Sequence, residues 1–347
     1  MARRGSAHRL IRWLWTSRRI DARLVRSGLL PIAGAYGMLA RARAMAYAKR
    51  WAEVRLLPLP SVSVGNLTVG GSGKTPVASW IAGHYVRRGL TPGILLRGYR
   101  SGDEARVHQE AVPEARVIVG PDRVAGAQRA LAAGAQVLVL DDAYQRQDVF
   151  RDLNVVVVSA ETSRAVPWPL PAGPWREGMG ALGRADVLII TRRRADRASG
   201  LAFLRRLSAK VRGPAALVEL SVTKYEGLLS GKCVTPAELD GKRVVAASAI
   251  GDPEAFIAQT KRTGAAVQVA TWRDHHAYSD ADIAWLAKAA RKSDYLVLTR
   301  KDAVKLVDRW PASVPEPIVA RLELVWEEGH DGVVQALDGV IALLGPM

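Results

Sequence analysis

Residues 61–76 read SVSVGNLTVGGSGKTP, and this stretch decides how the chain folds. It begins with the apolar alternation of a strand, passes through a glycine-rich turn, and ends in Lys74-Thr75, where a helix is expected to begin. Strand, flexible loop and helix N-terminus in this order form a phosphate cradle, because glycines let successive N–H groups face an anion and the helix end adds positive charge. The residues predicted to bind nucleotide are Gly70, Gly71, Ser72, Gly73, Lys74, Thr75 and Pro76.

Two of these residues have specific expected roles. Lys74 is expected to reach the β- and γ-phosphates, and Thr75 to ligate Mg²⁺. The strict pattern G-x-x-x-x-G-K-[ST] requires glycine at position 68, where this chain has Thr68. A glycine-rich hairpin with an unrelated lysine is therefore the alternative interpretation.

An acidic pair supports nucleotide binding. Residues 136–140 (QVLVL) form a buried-strand pattern that is followed at once by Asp141 and Asp142. A carboxylate at the carboxyl end of a parallel strand faces the nucleotide crevice and can hold Mg²⁺ directly or through water. The predicted metal ligands are Thr75, Asp141 and Asp142.

Near-continuous apolar runs separated by helical patterns predict an α/β fold. Such runs are typical of a mostly parallel sheet with helices on both faces, here of the P-loop NTPase type. A second, smaller α/β domain is expected after an alternating stretch near residues 216–229. The predicted organisation is a basic N-terminal helical segment (1–55), a P-loop domain (56–215), a hairpin or linker (216–238) and a C-terminal α/β domain (239–347).

The positive charge is concentrated at the N-terminus. The chain of 347 residues has a net charge of +17, but residues 1–50 hold twelve Arg/Lys against one acid, which is +11 of that total. The remaining +6 and the lack of interleaved basic and aromatic residues argue against nucleic acid as a partner. The single cysteine, Cys233, excludes an intramolecular disulfide and fits a reducing compartment.

The N-terminal segment has the composition of a membrane-surface element. Tryptophans and arginines flank an uncharged run at residues 27–40, and fourteen residues are too few for a bilayer span, which needs about 20. A helix pair lying in an anionic membrane interface is therefore predicted. A basic helical hairpin packed on the protein's own body is the alternative.

Ordered sequence blocks carry a resemblance to a known family. GNLTVGGSGKTP, RGY, GDE, GPDRV, LVLDDAYQ, LPAGPWRE, GDPEAF, RDHHAYSDADI and LTRKDAVKL occur in that order between about residues 56 and 306. The chain resembles the tetraacyldisaccharide 4'-kinases, the lipid A kinases of Gram-negative envelopes. The resemblance implies transfer of the ATP γ-phosphoryl group to the 4'-hydroxyl of tetraacyldisaccharide 1-phosphate, which forms lipid IVA. It also implies Mg²⁺ and a location at the cytoplasmic face of the inner membrane.

The same resemblance implies site residues. Asp103 in the GDE block matches the carboxylate that accepts the hydroxyl proton, His275 matches its partner, and Lys74 acts with them on the phosphates. Four further basic residues are implied near phosphates or the acceptor: Arg97, Arg123, Arg176 and Lys301. By themselves, Asp103 and His275 would more often be a solvated loop acid and a structural histidine.

Two of the departures from the family pattern bear on the site. Arg146 stands where the family usually has histidine in the block after Asp142, and the passage between Gly98 and Gly102 is shorter than usual. A membrane-attached P-loop NTPase acting as a regulatory switch, or as a metal or cofactor chaperone, is the alternative function. A switch should carry an Asn-Lys-x-Asp motif and a chaperone a Cys/His cluster; the first is absent, and only residues 274–276 approach the second.

Overall fold

The structure is a computed structural model that describes residues 5–98 and 102–344, so Tyr99 and most of the shortened passage lie outside the described residues. The described helices are α1 (Gly5–Thr16), α2 (Ile20–Ala48), α3 (Lys74–Arg87), α4 (Asp103–Ala111), α5 (Arg123–Ala132), α6 (Arg197–Ser208), α7 (Pro253–Lys261), α8 (Asp280–Lys292), α9 (Arg300–Leu306) and α10 (His330–Ile341). The described strands are β1 (Ser61–Asn66), β2 (Pro92–Leu96), β3 (Arg116–Val119), β4 (Val137–Asp141), β5 (Leu153–Ser159), β6 (Val187–Arg192), β7 (Ala215–Gly227), β8 (Cys233–Val234), β9 (Arg243–Ser248), β10 (Ala266–Thr271), β11 (Tyr295–Thr299) and β12 (Ile318–Glu328).

The chain packs as two units. Unit one is drawn from Met1–Arg97, Glu114–Val218 and Trp326–Met347, and unit two from Gly98–Pro113 and Glu219–Val325. These boundaries differ from the predicted ones. Two of the boundaries between the units fall inside strands, one within β7 and one within β12. Neither of these two boundaries is therefore a linker. Residues 326–344 also belong to unit one, because α10 packs there and the His84 ring and Arg88 both contact Asp338.

Unit one contains a parallel sheet. Its strands are in the order β6-β5-β1-β4-β2-β3, and every described pairing among them is parallel. Every residue of β1 and of β4 is buried, as a sheet covered on both faces requires. Only glycine fits at position 65 in β1, since a Cβ there would lie 2.5 Å from the Tyr144 Cβ. The predicted α/β fold with a mostly parallel sheet is confirmed.

The N-terminus forms a helix pair, as predicted. The uncharged run lies inside α2, a single helix of 29 residues that contains Pro31. Arg26 is buried and donates to the Leu14 carbonyl of α1 (2.9 Å), and the Trp15 indole donates to Pro171 O (3.0 Å), so the pair is attached to unit one. Among the described residues, no helix is both long enough and apolar enough to cross a membrane.

Unit two has its own parallel strands in the order β10-β9-β11-β12. β8 pairs with β7 in an antiparallel hairpin, as the alternating stretch suggested. Helix α8 begins with a capping box in which Ser279 and Asp282 each bind the other's backbone N–H. Helix α4 belongs to this unit and was not predicted from the sequence.

Candidate active site

The phosphate loop joins the buried end of β1 to the start of α3, as predicted. Gly70 and Gly73 have φ of +113° and +84°, conformations that glycine adopts without a steric penalty. Gly73 is the residue before α3, and Lys74 is its first residue, so the helix begins where the sequence predicts it. The first turn therefore includes Lys74 and Thr75, with the free N–H groups and positive dipole end that favour an anion.

The departure at Thr68 has a structural explanation. Thr68 forms an antiparallel bridge with Trp175, and the neighbouring backbone bonds join Val69 N to Pro174 O (2.9 Å) and Arg176 N to Leu67 O (2.7 Å). A residue in such an extended pairing does not need positive φ. Threonine therefore replaces glycine here without strain.

Lys74 lies between two oxygen acceptors. Its Nζ is 3.3 Å from Asn66 Oδ1 and 3.1 Å from Asp142 Oδ1. Asp142 has φ of +53°, a left-handed conformation that asparagine and aspartate tolerate better than most residues. Arg176 is the second cation near this carboxylate, with its Nη1 3.6 Å from Asp142 Oδ1. The turn after β4 thus brings a carboxylate to the lysine of the phosphate loop.

Asp141, at the end of β4, lies beside Thr75. The Thr75 hydroxyl is 3.5 Å from Asp141 Oδ2, and Asp141 Oδ1 accepts the N–H of Asp142 (2.8 Å). The structure therefore brings the three predicted metal ligands to one place. No group of three or more His, Cys, Asp or Glu side chains able to hold a metal is found in the described ranges.

Arg123 is the most unusual of the predicted basic residues, because its side chain is 1% exposed. Its Nη2 donates to Asp141 O (3.0 Å), while Nε and Nη1 are buried and have no hydrogen-bond partner among the described residues. Burial, and secondarily Arg146, lowers the pKa of Arg123 to about 10, so its charge persists at neutral pH. Arg97 is exposed just after β2.

Arg146, the departure from the family pattern, has a defined structural partner. Its Nε and Nη2 donate to the two carboxylate oxygens of Asp148 (2.9 and 2.8 Å), and Nη1 donates to Pro121 O (3.3 Å). A bidentate pair of this kind fixes both side chains. Arg146 therefore braces the turn that follows Asp142.

A second cluster, in unit two, surrounds Asp103. This residue begins α4, where the helix dipole favours a carboxylate, and it is 5% exposed. Its Oδ2 is 3.8 Å from His275 Nδ1, so the structure brings the two predicted residues together at a distance longer than a hydrogen bond. His275 has φ of +58°, and its N–H donates to Ala249 O (3.2 Å).

Lys305, a close neighbour of Asp103, was not predicted from the sequence. Its Nζ is 3.0 Å from Asp103 Oδ2 and donates to His276 O (3.2 Å). Lys301, which was predicted, lies one helical turn earlier on α9 and pairs with Glu104 (3.5 Å). The i, i+4 spacing of Lys301 and Lys305 was the available signal, since it puts both on one face of a helix.

Asn66, which contacts Lys74, was also not predicted as a site residue. Asn66 Nδ2 donates to Thr68 O (2.6 Å), and Gln145 Nε2 donates to Asn66 O (2.6 Å). Its position at the end of a buried strand, immediately before the glycine-rich turn, was the available signal. Asn66 therefore helps to fix both the loop and its lysine.

Comparison with known proteins agrees with this geometry. The family described as "LpxK: Tetraacyldisaccharide-1-P 4'-kinase" matches residues 25–341. The chain is 36% identical over 330 residues to the tetraacyldisaccharide 4'-kinase of Aromatoleum aromaticum, covering 88% of this chain and 93% of that protein. It is 33% identical over 309 residues to that of Geobacter sulfurreducens, covering 82% and 85%.

A solved structure has the same fold. The crystal structure of the "apo" form of LpxK from Aquifex aeolicus in complex with ATP superposes with a TM-score of 0.72 at 24% identity, covering 91% of this chain and 99% of that one. Fold and phosphate loop together define a P-loop protein of the α/β class. The family is also shown: this chain belongs to the tetraacyldisaccharide 4'-kinases, the kinases of lipid A biosynthesis.

Proposed function

We propose that this chain transfers the γ-phosphoryl group of ATP to the 4'-hydroxyl of tetraacyldisaccharide 1-phosphate. The observation that carries the proposal is the position of Lys74, at the start of α3 and 3.1 Å from the Asp142 carboxylate. In the reaction the bond from the 4'-oxygen to the γ-phosphorus forms, the bond from that phosphorus to the β–γ bridging oxygen breaks, and ADP leaves. The hydroxyl proton needs an acceptor, and the buried Asp103 carboxylate is the group we assign to it.

The roles of the other residues follow from their charges and contacts. Lys74 and the N–H groups of the loop bind the β- and γ-phosphates. Arg123 offers two buried guanidinium nitrogens that have no partner within residues 5–98 and 102–344, and these suit phosphate oxygens. His275 orients the Asp103 carboxylate, and Lys305 supplies the positive charge that keeps a buried carboxylate tolerable. Arg97, Arg176 and Lys301 remain proposed contacts to phosphates or the acceptor.

Mg²⁺ fits the residues beside the phosphate loop. Thr75, Asp141 and Asp142 offer hard oxygen ligands, and Mg²⁺ is usually held by one or two carboxylates together with substrate phosphates. When bound, the ion would neutralise charge on the phosphate oxygens.

The activity can be tested directly. The purified full chain is incubated with [γ-³²P]ATP, MgCl₂ and tetraacyldisaccharide 1-phosphate in detergent micelles. We expect label in the lipid fraction that depends on both the acceptor and MgCl₂. ATP hydrolysis that is unaffected by the acceptor, with no labelled lipid, would instead favour a switch or chaperone and contradict the proposal.

We also propose that α2 attaches the protein to an anionic membrane surface, at the cytoplasmic face of the inner membrane. From Leu24 to Ala40 the only charged residue is Arg26, which is 4% exposed, whereas Leu24, Ile32, Met38 and Leu39 are 59–71% exposed. Residues 22, 26, 29, 33, 37, 40 and 44 form the less exposed stripe of the helix. The outward face therefore presents an apolar surface about 25 Å long, at 1.5 Å per residue, with basic residues beyond its ends.

A charge placed on this face tests the attachment. Leu39 is 71% exposed, and Leu39→Glu should lower the partition coefficient on phosphatidylglycerol-containing vesicles by about tenfold or more, because it removes apolar burial and adds like charge. Leu131→Glu is the matched control, since Leu131 is 46% exposed on α5. Vesicle co-sedimentation measures both. Equal partitioning of the two variants would contradict this role for α2.

A further inference from the structure

The loop that follows β6 lies against the phosphate loop within unit one. Thr191, the last residue but one of β6, donates its hydroxyl to Ser72 O (2.8 Å), and both residues are almost fully buried. In a planar trans peptide the C=O and the next N–H point in opposite directions. Because the Thr191 hydroxyl binds Ser72 O on one side of the Ser72–Gly73 peptide, the N–H of Gly73 must point to the opposite side.

A side chain from the loop that follows β6 binds the preceding peptide, which joins Gly71 to Ser72. Arg193 Nη1 donates to Gly71 O (3.0 Å). The N–H on the opposite side of that peptide, which belongs to Ser72, turns back onto Gly70 O (2.9 Å). Two successive carbonyls of the phosphate loop are therefore held by side chains that lie two residues apart.

Glu161 binds the backbone of the loop that follows β6, which carries Arg193. Its Oε1 accepts three successive N–H groups, from Arg193 (2.9 Å), Arg194 (2.9 Å) and Ala195 (3.2 Å). Burial by itself would raise the pKa of Glu161, but these bonds and one from the Ser159 hydroxyl outweigh it and lower the pKa to about 2. The carboxylate is therefore charged at any pH at which a kinase is assayed.

The buried Ser72 hydroxyl suggests that these contacts prepare the phosphate loop for a ligand. Ser72 is 3% exposed, and its Oγ has no hydrogen-bond partner among the described residues. A buried hydroxyl without a partner costs free energy unless a ligand satisfies it. The loop is thus held in a conformation that presents a buried donor and the Gly73 N–H, both of which suit a phosphate oxygen.

We propose that Thr191 is a positioning residue for ATP, which fixes the Ser72–Gly73 peptide, and that Glu161 and Arg193 support the same loop from its outer side. The inference rests on the proposed function, because it assumes that the phosphate loop binds ATP. It adds residues from β6 and from the segment after β5 to the nucleotide machinery. None of them lies within the strand–loop–helix motif itself.

The test compares substitutions that differ only in the hydroxyl. Thr191→Val keeps the shape and removes the donor, so we expect KM and Kd for Mg-ATP to rise by about tenfold, since a buried carbonyl loses its partner. Thr191→Ser restores the donor and should stay within about twofold of the unsubstituted chain. Thr260→Val is the matched control, because Thr260 is also buried but donates to Phe256 O in unit two.

Isothermal titration of the full chain with Mg-ATP and steady-state kinetics give the readouts. Weaker ATP binding in Thr191→Val, with an unchanged KM for the lipid acceptor and with binding restored in Thr191→Ser, supports the inference. Equal ATP binding by Thr191→Val and Thr260→Val overturns the inference alone. No ATP binding by the unsubstituted chain overturns the proposed function and the inference together.

A second variant covers the case in which Thr191→Val does not fold. Arg193→Ala removes the bond to Gly71 O without emptying a buried position, and it should raise KM for ATP by about threefold to tenfold. Circular dichroism and thermal midpoints identify any folding defect. An unchanged KM in a folded Arg193→Ala protein would contradict the support that we assign to this loop.

Discussion

Replacing Asp103 with asparagine is expected to lower kcat by about 10²–10⁴-fold, the usual contribution of a positioned general base. The substitution keeps the size of the side chain and the helix start but removes the group that can take the proton. Asp103 is 5% exposed, and its Oδ2 lies 3.0 Å from Lys305 Nζ and 3.8 Å from His275 Nδ1. The Lys305 ammonium offsets the cost of burying this carboxylate.

The pattern of the kinetic parameters distinguishes this role from a structural one. The phosphate loop and the proposed Mg²⁺ ligands belong to unit one and Asp103 to unit two, so we expect the Kd for Mg-ATP to change little in Asp103→Asn. Asp308→Asn is the control, because Asp308 also contacts α4, through Arg106 (3.1 Å), yet is 71% exposed. Radiolabel transfer measures kcat in both variants. A kcat in Asp103→Asn equal to that of the control would remove Asp103 from the mechanism.

The sequence was sufficient for the parts of the site that are local in the chain. The order of strand, glycine-rich loop and lysine predicted the phosphate loop, and the apolar run before Asp141 predicted β4 and its acidic end. Aspartate is a preferred helix-capping residue, and the Asp122 carboxylate caps α5 by accepting the N–H groups of Val124 and Ala125. Each of these features depends on residues that are close together in sequence.

The missed features depend on residues that are distant in sequence. Helix α4 is short and strongly polar, and its side chains meet cations from α9: Asp103 meets Lys305, and Arg300 donates to Glu110 (3.2 Å). Thr191 reaches Ser72 across 119 residues. The boundary between the units was predicted in a hairpin or linker, because alternation at residues 216–229 indicates a strand but gives no sign that this strand has residues in both units.

The second large effect is expected at Lys74. Lys74→Gln should lower kcat/KM for ATP by about 10²–10³-fold, because the ammonium stabilises charge on the transferred phosphoryl group more strongly than an amide can. In the structure this ammonium lies 3.1 Å from Asp142 Oδ1 and 3.3 Å from Asn66 Oδ1. The lysine thus already occupies an anionic environment, in which a phosphate can replace a carboxylate as its partner.

Two comparisons make this prediction specific. Lys74→Arg keeps the charge but has a larger, planar head group, so we expect it to recover less than about a tenth of the activity in a site shaped around a point charge. Arg87→Gln is the control, because Arg87 ends the same helix about 20 Å away at 1.5 Å per residue. Steady-state kinetics with ATP as the varied substrate measure all three. If Lys74→Gln lowers kcat/KM for ATP no more than Arg87→Gln does, the effect is common to basic residues of α3. The Lys74 ammonium would then not act on the phosphates.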